Sequence, residues 1–123
     1  MHNGDKIRIL IHNILYEIYI LGITIDNAFK KIDNKKISQR DIDFINNVSL
    51  NSMRYYIHSK KILLKYVKKR PKIHEEILLC CAITQIVFLD FKEYAVINSS
   101  VEVSKKLKLF HGFINACLRK ISK

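Results

Sequence analysis

Three sets of side chains in this sequence are spaced for chemistry on a polyanion. Arg8, His12, Tyr16 and Tyr19 follow one another at steps of four, four and three residues, so on a helix they return to nearly the same angle. A cation beside aromatic rings can grip a phosphate and stack on a base. The plainer reading makes Tyr16 and Tyr19 the cover of a core at a half-exposed edge and leaves Arg8 open to either role. Asn115 and Arg119, four residues apart with Lys120 and Lys123 close by, put an amide and a guanidinium on one ridge. Such a ridge can meet a phosphate or a base edge, or the two side chains can simply pair with each other. Lys61, Lys65 and Lys68 line up opposite an apolar arc and are thickened by Lys60, Lys69, Arg70 and Lys72. They are a weaker second patch for RNA, or a solvated helix face.

Other chemistries find no footing. Gly4, Gly22 and Gly112 are widely separated, and none sits in the strand-to-helix turn that a nucleotide-type cofactor fold needs. Ser49 and Ser52 have no histidine and acid at a suggestive spacing and read as packing residues. The three cysteines form no CxxC pair; Cys80 and Cys81 lie in an apolar run where a thiolate would be desolvated and inert, and Cys117 is distant. The five histidines, His2, His12, His58, His74 and His111, make no HxxxH pair and have no cysteine at zinc-site spacing. Each is expected at the surface or satisfied within the core. No catalytic residue, metal or cofactor is therefore expected, and the chain reads as a non-enzyme.

Charge points to the class of partner. Twenty-two Lys and Arg against eleven Asp and Glu leave a net +11, with a pI near 9.7. Such a field favours RNA, DNA or an anionic membrane. The wealth of Ile, Lys and Asn also fits A+T-rich codon usage, which supplies lysines without any ligand, so position must choose among them. A length of 123 residues, about half of them hydrophobic, fits one domain over residues 1–123 with an unstapled core. No signal-peptide pattern opens the chain, and cysteine usage suggests no oxidising compartment, so the cytoplasm is expected.

The elements that must position these side chains are all helical. The stretch ILLCCAITQIVFL from Ile77 to Leu89 is apolar on every side, which marks a buried central helix over residues 73–89; flanked by Glu75, Glu76 and Asp90, it is too short to span a bilayer. Ile7, Leu10, Ile11, Ile14, Leu15, Ile18 and Leu21 form the stripe of a first helix that ends at Gly22. Thr24 caps a short second helix with Ile25, Ala28, Phe29 and Ile32 inward, and Asp33 to Lys36 reads as a loop. Ser38 and Asp41 have capping-box spacing at the start of a third helix bearing Ile42, Ile45, Ser49, Ser52, Met53 and Tyr56. From His58 a helix runs to Arg70, where Pro71 ends it and opens the central helix, with Glu75 and Glu76 suited to its dipole. Asn98 is expected to cap a sixth helix running to Leu107. The last helix buries Phe113, Ile114, Cys117, Leu118 and Ile121.

Several of these segments carry a resemblance. Gln85-Ile-Val-Phe-Leu-Asp90, Ala95-Val-Ile-Asn98, Val101-Glu-Val-Ser-Lys-Lys106 and Gly112-Phe-Ile-Asn-Ala-Cys-Leu-Arg-Lys-Ile121 resemble the C-terminal half of the NusB-type RNA-binding domain. That family comprises the antitermination factor NusB and the N-terminal domain of the rRNA cytosine-5 methyltransferase RsmB. The ending is similar to the family's FxNxxLRxI pattern, and Asn98 with Glu102 to its NEAVELAK segment. Ser38-Gln-Arg-Asp41 and Ile14-Leu15-Tyr16-Glu17 resemble the starts of its third and first helices more loosely. Arg119-Lys120 after Leu118 and the compact stretch before Ser38 look more like the RsmB branch. The chain departs from the pattern at Ser99, where the family commonly has Glu, and in the link Leu107-Lys-Leu-Phe-His111, which lacks the usual glycines.

The resemblance implies an all-α bundle of about seven helices that binds RNA, either rRNA or boxA-like, in transcription antitermination or rRNA modification, without catalysis. The residues expected to meet RNA are Lys6, Arg8, Lys105, Lys106, Lys108, Asn115, Arg119 and Lys120, with Lys61, Lys65 and Lys68 as the weaker patch. Two rivals stand beside this reading. One is a protein-interaction domain that docks a ribosomal protein or the catalytic half of an rRNA methyltransferase; the other is a delivery domain of a longer enzyme.

Overall fold

The computed structural model describes residues 3–33 and 36–122. The loop expected at Asp33 to Lys36 lies partly outside them, as do His2 and Lys123. The described residues form seven α-helices: α1 (Asn3–Tyr19), α2 (Ile25–Asp33), α3 (Gln39–Arg54), α4 (Tyr56–Leu64), α5 (Ile73–Ile83), α6 (Glu93–Lys106) and α7 (His111–Ile121). A π-helical turn, Thr84–Phe88, prolongs α5. Among the described residues no helix is long and apolar enough to cross a membrane.

Local chemistry starts several of these helices where the sequence expects. The backbone N–H of Asn27 donates to Thr24 Oγ1 at 3.2 Å, and that of Asp41 to Ser38 Oγ at 3.2 Å, so each hydroxyl satisfies an orphan donor at its helix start. Gly22 takes φ +69°, the left-handed conformation that costs glycine nothing, and turns the chain after α1.

α5 is the central element because both halves of the core need it. Ile77 and Cys81 pack with Ile7, Ile11, Ile14 and Leu15 of α1, Ala28 and Ile32 of α2, and Ile45 and Val48 of α3. On its other sides Leu78, Leu79, Ala82 and Ile83 meet Leu63 of α4, Ile97 and Val103 of α6, and Ile114, Leu118 and Ile121 of α7. An all-round apolar surface is what such a position demands. Ser49, Ser52 and Ser59 are buried at close helix approaches: Ser52 Oγ donates to Cys81 Sγ at 3.4 Å, and Ser59 and Thr84 share a hydrogen bond of 2.9 Å.

Five expectations are corrected. Ile25, placed on the inward side of the second helix, is the first residue of α2 and is exposed. The buried post ends at Ile86, and Val87 is 47% exposed. The π turn, closed by Leu89 N–H on Thr84 O at 3.0 Å, inserts one residue and so rotates the residues after it by roughly 100°, laying Phe88 flat on Tyr55 with ring centroids 4.3 Å apart. The helix expected to reach Arg70 stops at Leu64. Asn98 is an exposed residue inside α6, which begins five residues earlier at Glu93 with Lys92 at its N-cap. Leu21, placed on the α1 stripe, is exposed beyond the helix end.

Candidate nucleic-acid interface

The N-terminal half of α1 brings the expected cations to the surface in two different states. Lys6 is exposed, whereas Arg8 is half-buried. Its guanidinium carbon lies 5.1 Å from the centroid of the Phe44 ring on α3, and Nη1 reaches the Gly4 carbonyl at 3.5 Å. A guanidinium over an aromatic face is held by the ring quadrupole. Burial lowers its pKa, while Asp5 and Cys81 act in the opposite sense. Arg8 lines two open depressions. One, of about 410 Å³, is shared with Gly4, Asp5, Asn98, Ser99 and Glu102 between α1 and α6. The other, of about 340 Å³, is shared with Gly4, Ile7, Arg40, Asp41 and Phe44 between α1 and α3. Arg40 was missed from the sequence, where its only visible role was to fill the capping segment.

The rest of the α1 flank faces inward. His12 is only 3% exposed, and its Nε2 lies 3.0 Å from Nδ1 of His74 on α5. Tyr16 stacks on His74 with centroids 4.5 Å apart, and Tyr19 lies against Tyr56 at 4.6 Å. The two tyrosines thus cover the core. Nothing in the sequence could pair His12 with His74 across 62 residues.

α6 and α7 carry the remaining expected residues. Lys105 and Lys106 are exposed in the last turn of α6, where cations suit the helix dipole. Lys108 comes next with φ +59°, and Leu109 N–H closes the helix end on Ser104 O at 2.8 Å. Lys105 Nζ is 3.4 Å from Glu102 Oε1; an exposed pair of this kind is weak enough for a phosphate to displace. On α7, Arg119 Nε donates to Asn115 Oδ1 at 2.9 Å, so these two side chains form the local pair that their spacing allows. Arg119 and Lys120 are exposed. α1 packs on α6 and α6 on α7, so the three cation-bearing helices are neighbours.

Lys61, Lys65 and Lys68 do not share a helical face. Lys61 belongs to α4, Lys65 caps its C-terminus, and Lys68 lies beyond it. The connection to α5 is drawn inward by Glu76, a carboxylate whose sequence position suggests only a role in the helix dipole. Glu76 is 1% exposed; it accepts a hydrogen bond from the Tyr56 hydroxyl and lies 3.4 Å from Arg70 Nε and 3.7 Å from Lys60 Nζ. Burial, then the bond to Glu76, raises the pKa of the Tyr56 phenol. Glu75, also buried, accepts the Lys72 backbone N–H at 3.1 Å, and the Lys72 ammonium lies 6.0 Å from the Phe110 ring centroid.

All three thiols are buried. Burial pushes Cys80 up to about 12 and raises Cys81 and Cys117 as well. Among the described residues no three His, Cys, Asp or Glu side chains are grouped to hold a metal ion.

Comparison with known proteins agrees with this architecture. One similar structure is a chain in the crystal structure of a plectonemic RNA supercoil, with a TM-score of 0.85, 22% identity, and coverage of 98% of this chain and 94% of the other. A second is a chain in the crystal structure of the antitermination factors NusB and NusE in complex with dsRNA, with a TM-score of 0.83 and 22% identity over 99% and 98% of the two chains. No protein in the curated set matches. Residues 5–123 match the NusB family. With that match over nearly the whole chain and the seven-helix fold around α5, the chain belongs to the NusB family.

Proposed function

We propose that this chain is a non-catalytic RNA-binding module of the cytoplasm that engages rRNA or boxA-like RNA, in antitermination or rRNA modification. The observation that carries the reading is the placement of Lys6, Lys105, Lys106, Lys108, Arg119 and Lys120, all exposed on or beside three neighbouring helices, α1, α6 and α7. Phosphate contacts from these cations supply sequence-independent affinity. Arg8, braced on Phe44 between two depressions, and Asn115, which orients Arg119, add direction. Lys61, Lys65 and Lys68 serve as a secondary attraction. Within the family, Leu118-Arg119-Lys120 and the short stretch before Ser38 favour the branch of the RsmB N-terminal domain.

The test is fluorescence anisotropy with labelled boxA-like and rRNA oligonucleotides over a series of salt concentrations. Log affinity should fall linearly with log salt. Reversing both Arg119 and Lys120 to Glu should lower the magnitude of that slope by about 1 to 2, the loss of roughly two phosphate contacts. Absence of binding at low salt would end the RNA reading.

A second reading, a docking domain for a ribosomal protein or a methyltransferase catalytic unit, is favoured by Ile57, Tyr94 and Phe110, which are large, apolar in the main and more than half exposed. The protein NusE in the crystal of the similar structure points the same way. On that reading the Arg119 and Lys120 reversals leave function intact, and Ile57→Asp or Phe110→Asp abolishes it.

A further inference from the structure

We infer that a narrow cavity between α1, α3, α5 and α6 is a binding site for one water molecule, which accepts a hydrogen bond from Arg8 Nε–H and donates one to His12 Nδ1. The cavity measures about 20 Å³ and is lined by Arg8 and His12, by the polar side chains of Cys81, Gln85 and Ser100, and by an apolar wall that includes Phe44. One water needs roughly 10 to 15 Å³ by the same measure, so the space suits a single water.

Two buried polar atoms ask for that occupant. Arg8 Nε and His12 Nδ1 are both out of contact with solvent, have no protein hydrogen-bond partner, and belong to residues that line the same cavity. Leaving either unsatisfied carries the full desolvation penalty of a buried polar group. A bridging water removes both penalties, whereas an apolar filling removes neither.

Donor and acceptor counting then sets the proton positions along a line. Arg8 Nε–H can only donate, so it takes a lone pair of the water, whose two hydrogens need acceptors. His12 Nδ1 accepts one when His12 carries its proton on Nε2; Ser100 and Gln85, which line the cavity and each carry an acceptor oxygen, can take the other. The Nε2 proton then donates to His74 Nδ1 at 3.0 Å, which leaves His74 protonated on its own Nε2. In the opposite tautomer the water would accept from both Arg8 and His12, and both of its hydrogens, rather than one, would need acceptors on the wall. The line Arg8, water, His12, His74 crosses from α1 to the first turn of α5. It ties the guanidinium at the α1–α6 depression to the central helix whether or not the chain binds RNA.

The test is NMR on the full chain labelled with ¹⁵N and ¹³C. Water-selective cross-relaxation should show a long-lived water at the Arg8 Hε and His12 ring protons, and imidazole ¹⁵N shifts should give the Nε2–H tautomer for both histidines. Arg8→Met, which keeps the bulk and removes the donor, should erase the water signal and move the His12 Nδ1 shift while the remaining spectrum stays folded. A His12 protonated on Nδ1, the lack of a long-lived water at these protons, or a water signal unchanged in Arg8→Met would each overturn the inference.

Discussion

Acidification offers the sharpest test of the packing around His12. The imidazole is buried and neutral, and burial together with neighbouring His74 takes its pKa from the usual 6.5 down to about 4. Unfolding returns it to water, where it binds a proton below about 6.5. The unfolded chain therefore holds more protons between pH 4 and 6.5, and stability rises with pH across that window. The contribution of His12 is complete above pH 6.5 and is lost as pH falls towards 4. Two and a half pH units at about 1.4 kcal/mol each amount to roughly 3 to 4 kcal/mol. That is a large share of the roughly 5 to 15 kcal/mol that stabilises a typical domain. The assay is urea unfolding at half-unit steps from pH 4 to 8, on the native chain and on His12→Gln. Repulsion within this cationic chain acts in both proteins and cancels in the difference. The difference should shrink as pH falls from 6.5 to 4 and stay level above 6.5. A difference constant across the range, or an NMR titration of His12 near 6.5, would refute the argument.

Three further outcomes are expected. Glu76→Ala should cost about 3 kcal/mol in urea unfolding, because it removes a buried carboxylate that gathers Tyr56, Lys60 and Arg70; Arg70→Ala, whose side chain is 66% exposed, should cost less than about 1 kcal/mol. Val87→Ser should change stability by no more than about 0.5 kcal/mol, while Ile83→Ala, immediately before the π turn, should cost roughly 2 to 5 kcal/mol; equal losses would put Val87 back in the core. Thiol labelling at pH 8 should leave Cys80, Cys81 and Cys117 unmodified in the folded chain and modify all three in denaturant, since burial raises each thiol. Rapid native labelling of Cys80 would contradict its placement.

Periodicity carries most of the frame. The apolar run from Ile77 made α5 the axle, and an apolar pattern needs no knowledge of partners, because hydrophobic burial is non-directional. Stripes such as Ile7 to Ile18 and Ile114 to Ile121, with the hydroxyl caps Thr24 and Ser38, depend on residues within one or two turns of each other, so a linear reading reaches them. The exposure of Lys106, Arg119 and Lys120 comes from the same stripes. Local pattern is weaker at helix ends: the early stop at Leu64 and the early start at Glu93 carry no strong signal in the residues beside them.

What the chain order alone decided is therefore a helical class, a central helix and a cationic outside. Tertiary structure alone decided which polar groups are spent inside. Glu76 looked like an ordinary first-turn acid until α4 and the α4–α5 connection brought three donors to it. His12 and His74, 62 residues apart, became a pair only when α1 packed on α5. Arg8 was one of several free cations until Phe44 arrived beneath it. Hydrogen bonds and ion pairs act over a few ångströms and depend on direction. They are settled by which helices meet, whereas apolar burial is set by which face of one helix is greasy.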